Sequence, residues 1–81
     1  MLAKVYVTLK KGVLDPQGKA VQNSLESLGY KEVRDIRLGK YMEVKLGDIE
    51  RDKADTRIRE MCEKLLTNPV IEDYQFEISD E

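Results

Sequence analysis

Apolar and polar residues alternate strictly at the start of the chain, where Ala3, Val5, Val7 and Leu9 are interleaved with Lys4, Tyr6, Thr8 and Lys10. A period of two sends alternate side chains to opposite faces, so this spacing predicts a half-buried strand over residues 2–10. Asp15-Pro16 then marks a helix start: an aspartate can cap the first turn, and proline suits the first helical position because its missing N–H would be unpaired there anyway. Val21, Leu25 and Leu28 follow at helical spacing, and Gly29 is placed to end the helix in a left-handed turn, so a helix is predicted over 16–28.

Two β-rich runs come next, Val33 to Leu38 and Tyr41 to Leu46, on either side of Gly39-Lys40. A two-residue turn would split their apolar positions between two faces. A three-residue loop, Leu38-Gly39-Lys40, or a bulge at Gly39 sets Ile36 opposite Met42 and keeps one face apolar. After Gly47-Asp48 the period changes: Ala54, Ile58, Met61 and Leu65 form a helical stripe, which Asn68-Pro69 ends because a residue before proline is pushed out of helical geometry. From Val70 onward Tyr74, Phe76 and Ile78 alternate with Asp73, Gln75 and Glu77, a last strand.

The order β-α-β-β-α-β predicts an α+β fold, a two-layer sandwich with both helices on one face of an antiparallel sheet, similar to a ferredoxin-like domain. One domain over residues 1–81 is expected, because a chain this short buries only about 60% of its unfolded surface and has a core worth roughly 3–5 kcal/mol. The other sheet face would carry Tyr6, Tyr41 and Ile71 among charges, so a second copy or another subunit is expected to cover it.

Composition narrows the chemistry. There is no histidine, and the lone Cys62 sits beside Met61 on the apolar side of the second helix, so it reads as core and neither zinc sites nor histidine-based acid/base catalysis find their usual residues. Fourteen basic against sixteen acidic residues argue against a binder dominated by nucleic-acid phosphates, although residues 1–40 hold 8 Lys/Arg against 4 Asp/Glu and residues 41–81 hold 6 against 12. No apolar run approaches the roughly 20 residues of a membrane span, and the first strand has neither a basic leader nor a small-residue cleavage site; a cytoplasmic location is expected. Paired carboxylates such as Glu50/Asp52 and Glu72/Asp73 lie in charge-rich, solvated stretches and are poor metal or acid/base candidates, so no catalytic and no metal-binding residue is assigned.

Two segments stand out as candidate contact sites. Lys10 to Lys19 has the glycines and lysines to cradle a phosphate at a helix start, but it lacks the Gly-Lys-Ser/Thr ending of a phosphate loop, and Asp15 would compete with an anion. A capped turn accounts for Asp15 and Pro16 but not for Gly18, whose cost in a first helical turn points to the close approach of another backbone or a ligand. Arg37, Gly39 and Lys40 place two cations beside a bend, either a grip on a carboxylate or phosphate or simply a polar hairpin tip.

Three stretches covering essentially the whole chain resemble the PurS family, the small subunit of phosphoribosylformylglycinamidine synthase. They are Val5-Tyr6-Val7-Thr8-Leu9-Lys10 continuing through Gly12-Val13-Leu14-Asp15-Pro16-Gln17-Gly18-Lys19-Ala20-Val21, then Val33-Arg34-Asp35-Ile36-Arg37-Leu38-Gly39-Lys40-Tyr41, and Asn68-Pro69-Val70-Ile71-Glu72-Asp73-Tyr74. The resemblance implies a non-catalytic subunit that joins a synthetase subunit (PurL) and a glutaminase subunit (PurQ). That complex uses ATP, magnesium and glutamine, while this subunit is expected to bind no cofactor itself. It also implies homodimers, sometimes paired into tetramers. Within that reading the loop Gly12, Val13, Leu14, Asp15, Pro16, Gln17 and Gly18 and the bend at Arg37, Gly39 and Lys40 are candidate docking surfaces, and Tyr6, Tyr41 and Ile71 are candidates for self-association. The rival classes are a stand-alone ligand-sensing module and an acylphosphatase-like enzyme; the latter needs an Arg and an Asn converging on one phosphate, and no loop here presents that pair.

Overall fold

A computed structural model describes residues 1–80. Its elements are β1 (Leu2–Leu9), α1 (Pro16–Ser27), β2 (Gly39–Lys45), α2 (Arg51–Met61), a π-helical turn (Cys62–Leu66) and β3 (Glu72–Ser79). The class is α+β, with an antiparallel sheet and both helices to one side of it. The sheet has three strands in the order β2-β1-β3. In the register, Val5 faces Met42 on one side and Phe76 on the other, and Tyr6 faces Tyr41 and Gln75.

The alternation in β1 does what its period requires. Ala3, Val5 and Val7 are buried, and α2 lays Ala54, Ile58 and Cys62 over them, with Met42, Val44, Tyr74, Phe76 and Ile78 closing the sides. The core is correspondingly thin, six buried apolar residues in all among those described. On the opposite sheet face Lys4 lies between Glu43 and Glu77, and Tyr6 lies beside Tyr41.

Two predictions are corrected. The run 33–38 forms no strand and there is no hairpin at Gly39-Lys40: Gly39 already pairs with Thr8 at the start of β2, so Met42 faces Val5 and not Ile36. The strand-like residues 33–38 find no neighbouring strand within the chain. They run back along α1 instead, where Gln22 Nε2 donates to the Arg34 carbonyl at 3.1 Å. The outer edge of β2, where a fourth strand would pair, is therefore open.

The second correction concerns the helical stripe. Ala54 and Ile58 are buried as predicted, but Met61 is 37% and Leu65 82% exposed, while Cys62 is fully buried and Leu66 packs on the core. Met61 ends the regular part of α2, and for Leu65 the π turn is the cause. Its i→i+5 bonding, seen in Thr67 N donating to the Cys62 carbonyl, turns the chain less per residue than an α-helix. Leu66 consequently follows Cys62 onto the sheet, and Leu65 swings out.

At α1 the caps match expectation: Asp15 is the N-cap, Pro16 occupies the first turn, and Gly29 adopts a φ of 103°. Yet α1 contributes only Gly18 to the buried set, and it does not share the close packing that joins α2 to β3. Its apolar stripe is open, with Leu28 73% exposed.

One buried group is unsatisfied: Thr67, 4% exposed, has no partner for Oγ1 among the described residues. Its extended backbone (φ −131°, ψ 143°) suits a β-branched residue. Thr67→Val, which keeps the shape and removes the unpaired hydroxyl, is expected to raise stability by about 1 kcal/mol in urea unfolding; an unchanged or lower midpoint would show that the hydroxyl is satisfied in solution.

Candidate functional site

The end of β1, the start of α1 and the run entering β2 meet at one joint. Asp15 makes it. One carboxylate oxygen accepts the Gly18 N–H at 2.9 Å, capping α1, and the other accepts the Leu38 N–H at 2.9 Å, which ties in a segment 23 residues away. Those two backbone donors, first Gly18 and then Leu38, with Arg37 adding its charge, hold the Asp15 carboxyl below the usual carboxylate range. Arg37 locks the same joint from the other side: its Nη2 donates to the Leu9 carbonyl and, at 2.7 Å, to the Lys10 carbonyl.

The joint also explains two glycines. A Cβ at Gly18 would stand 2.3 Å from the Ile36 carbonyl oxygen, and a Cβ at Gly39 would stand 2.1 Å from that of Val7. Both positions are backbone-on-backbone contacts that no side chain fits, so the close approach expected at Gly18 is made by the chain's own residues 33–38. Gly12, at φ 87°, turns the chain between β1 and α1. Val13 is half-buried, Leu14 is 77% exposed and Gln17 is exposed. Lys40 reaches Glu72 at 3.7 Å.

The loop 12–18 and the bend 37–40, two separate candidates in the sequence, are thus one continuous surface bound together through Asp15 and Arg37. A recess of about 380 Å³ lies between them, lined by Asp15, Lys19, Gln22, Arg34 and Arg37 among others. Neither the Asp15–Leu38 contact nor the carbonyl contacts of Arg37 had a signal in the sequence, since both join distant segments through backbone atoms.

Tyr6 and Tyr41 come together, their ring centroids 5.3 Å apart. Each hydroxyl donates to a carboxylate, Tyr6 to Glu77 and Tyr41 to Glu43, both at 2.9 Å. The Glu77 contact first, then desolvation, raises Tyr6; desolvation and the Glu43 contact push Tyr41 up to about 12. Both phenols stay protonated near neutrality and act as donors. Ile71 lies apart from them, in the turn before β3, where its carbonyl accepts the Lys10 N–H at 2.8 Å.

No catalytic constellation emerges among the described residues. A recess of about 760 Å³ beside β3, lined also by Tyr6, Thr8 and Lys10, includes Glu63, Glu72 and Asp73, but each carboxylate is engaged. Glu63 accepts from the Tyr74 hydroxyl, Glu72 from the Asn68 N–H, and Asp73 pairs with Lys10 at 4.0 Å. Burial pushes the Cys62 thiol up, which keeps it protonated and unreactive. No cluster of three or more metal-ligating side chains is present among the described residues, and no helix is long and apolar enough to cross a membrane.

Comparison with known proteins agrees with this picture. The family model described as "PurS: Phosphoribosylformylglycinamidine (FGAM) synthase" matches residues 2–80. A phosphoribosylformylglycinamidine synthase subunit PurS from Bacillus subtilis is 57% identical over 95% of this chain and 90% of its own length, and one from Synechocystis is 47% identical over 94% and 76%. Among solved structures, the C2 crystal form of B. subtilis PurS superposes with a TM-score of 0.85 at 56% identity, covering 98% of each chain. A chain in the structure of PurLQS from Thermotoga maritima gives 0.81 at 30% identity, covering 95% of this chain and 96% of that one.

Two variants test the joint. Gly18→Ala is expected to lower the melting temperature despite alanine's better helix propensity, because its methyl group would overlap the Ile36 carbonyl; a more stable variant would show that the contact yields freely. Asp15→Ala is expected to lower the melting temperature by several degrees at neutral pH. Because the folded-state carboxyl is depressed, its contribution is complete above the unfolded value of about 3.9 and is lost as pH falls through the folded one, so the two melting curves converge in acid. A difference that stays constant down to the lowest pH would contradict a role for the carboxylate charge.

Proposed function

The chain belongs to the PurS family, the small subunit of phosphoribosylformylglycinamidine synthase, and from that premise we propose that it works as an assembly element which holds the synthetase and glutaminase subunits together. It is a non-catalytic subunit of a larger enzyme complex in purine biosynthesis. The complex converts formylglycinamide ribonucleotide to formylglycinamidine ribonucleotide with ATP and glutamine. The chain's part is to fix the distance and orientation of two active sites so that ammonia released at one reaches the other without escaping.

The observation that carries this reading is the joint. Asp15 and Arg37 combine the loop 12–18 and the bend 37–40 into one rigid surface, which presents Leu14 and Lys40 outward and leaves no free reactive group behind it. A surface that is already ordered loses less conformational entropy on docking than a mobile loop would. The similarity to a chain in the PurLQS structure of T. maritima supports synthetase and glutaminase subunits as the partners. ATP and magnesium belong, on this reading, to the complex and not to this subunit. Tyr6 and Tyr41 on the open sheet face serve contacts between copies of the chain, and the complex works in the cytoplasm.

The test compares two rates in a reconstituted complex. Glutamine-dependent synthesis is expected to require this chain, whereas the rate with ammonia supplied directly is expected to be nearly independent of it. Lys40→Glu is expected to lower the glutamine-dependent rate at limiting subunit concentration and to leave the ammonia-dependent rate unchanged. Equal losses in both rates would indicate that the chain acts on the chemistry itself, and no loss in either would remove the assembly role.

A further inference from the structure

The sheet has two outer edges, and β3 forms the one away from β2. Hydrogen-bonded and non-bonded pairs alternate along an antiparallel ladder, so the register decides which backbone groups of β3 are used. At the end of the β1–β3 ladder the Lys10 N–H donates to the Ile71 carbonyl at 2.8 Å, which makes Asp73, Gln75, Glu77 and Ser79 the residues that bond β1. The N–H and C=O groups of Glu72, Tyr74, Phe76 and Ile78 therefore point outward. The chain closes both ends of that row itself: the Asn68 carbonyl accepts the Glu72 N–H at 2.8 Å, and Arg51 Nη2 donates to the Ile78 carbonyl. Between these ends the N–H and C=O groups of Tyr74 and Phe76 have no partner among the described residues.

An unpaired edge of eight residues invites a further strand unless something blunts it. β3 carries no proline, lysine or arginine to do so. Its charged residues are all acidic, Glu72, Asp73 and Glu77, and Asp80 follows directly. Two copies of β3 set side by side would bring these carboxylates together, and like charges facing across strands repel. The same charges favour a basic guest. Lys10 reaches Asp73 only at 4.0 Å and Lys40 reaches Glu72 at 3.7 Å, while Glu77 is held by the uncharged Tyr6 hydroxyl.

The alternation of β3 specifies the guest further. On the α2 side an added strand would lie beside Tyr74 and Phe76, whose ring centroids are 6.3 Å apart, with the Arg59 guanidinium 5.3 Å from the centre of the Phe76 ring. A recess of about 600 Å³ formed by Asp55, Arg59, Tyr74, Gln75 and Phe76 leaves room there for side chains. On the other sheet face its neighbours would be Asp73, Gln75 and Glu77. We propose that the β3 edge takes up a short extended segment of a partner subunit by strand addition at Tyr74 and Phe76, the segment alternating apolar residues toward α2 with Lys or Arg toward Asp73 and Glu77. Main-chain bonds supply affinity in such an addition, and alternate side chains supply specificity. The proposal rests on the assembly reading above and gives it a contact separate from the surface at Leu14 and Lys40.

Hydrogen exchange of the full chain, read residue by residue, is compared between the free protein and its complex with the synthetase and glutaminase subunits. On assembly the Tyr74 and Phe76 amides are expected to slow by about tenfold or more, while Gln75, already bonded to β1, changes little. Charge variants at exposed positions test the chemistry of the guest. Gln75→Glu is expected to tighten assembly several-fold at low salt, and Asp73→Lys combined with Gln75→Lys to weaken it by about tenfold, both with unchanged circular dichroism and both effects fading at high salt. A complex in which Tyr74 and Phe76 exchange as in the free chain would overturn the proposal and leave the assembly role standing. Equal assembly by the acidic and basic variants would overturn it too, by removing the basic guest. So would slowing of the same amides as copies of the chain associate alone, because the occupant would then be a second copy. If the wild-type chain forms no complex at all, the proposal falls together with the assembly role.

Discussion

One carboxylate decides the shape of this molecule. By accepting N–H groups from both Gly18 and Leu38, Asp15 fixes where α1 begins and also where the chain returns to the sheet. A charged acceptor satisfies two otherwise unpaired backbone donors, and Arg37 balances it by capping the carbonyls that end β1. Around that joint space is so tight that Gly18 and Gly39 admit no side chain. The course of the run 33–38, the open edge of β2 and the exposed stripe of α1 all follow from holding these segments in this relation.

The energetic consequence is a chain with little core of its own. Ala3, Val5 and Val7 pack beneath Ala54, Ile58 and Cys62, and few other residues are withdrawn from water. Much of the remaining apolar surface lies on α1, on Met61 and on Leu65. A protein that leaves this much unburied gains stability by association. In such a molecule the surfaces that stabilise the fold and those that join subunits need not be separate, which suits a subunit whose task is to hold others in place.

How much of this was legible in the sequence depended on the range of the interaction. The alternation in β1, the Asp15-Pro16 start and the Gly29 stop of α1, and the β3 pattern rest on near neighbours, and all three elements formed close to the predicted bounds. Residues 33–38 had a strand's composition, but a strand also needs a partner, and sequence spacing cannot say that Gly39 pairs directly with Thr8. Leu65 was predicted on the buried side because an α-helical period was carried through Cys62–Leu66, where a π turn shifts the face by about one residue. Of the candidate docking residues, Asp15 and Arg37 meet through backbone atoms of Leu9, Lys10 and Leu38 that carry no side-chain signature; of the self-association candidates, Tyr6 and Tyr41 pack together and Ile71 lies in the turn before β3.

The central claim is that this chain acts by joining other subunits, and light scattering on a size-exclusion column tests it without any chemistry. The synthetase and glutaminase subunits are run together with and without the chain. A single peak containing all three when the chain is present, and two separate peaks when it is absent, is the result the account predicts. Synthetase and glutaminase that form the same complex without the chain, or that stay apart with it, would contradict the account.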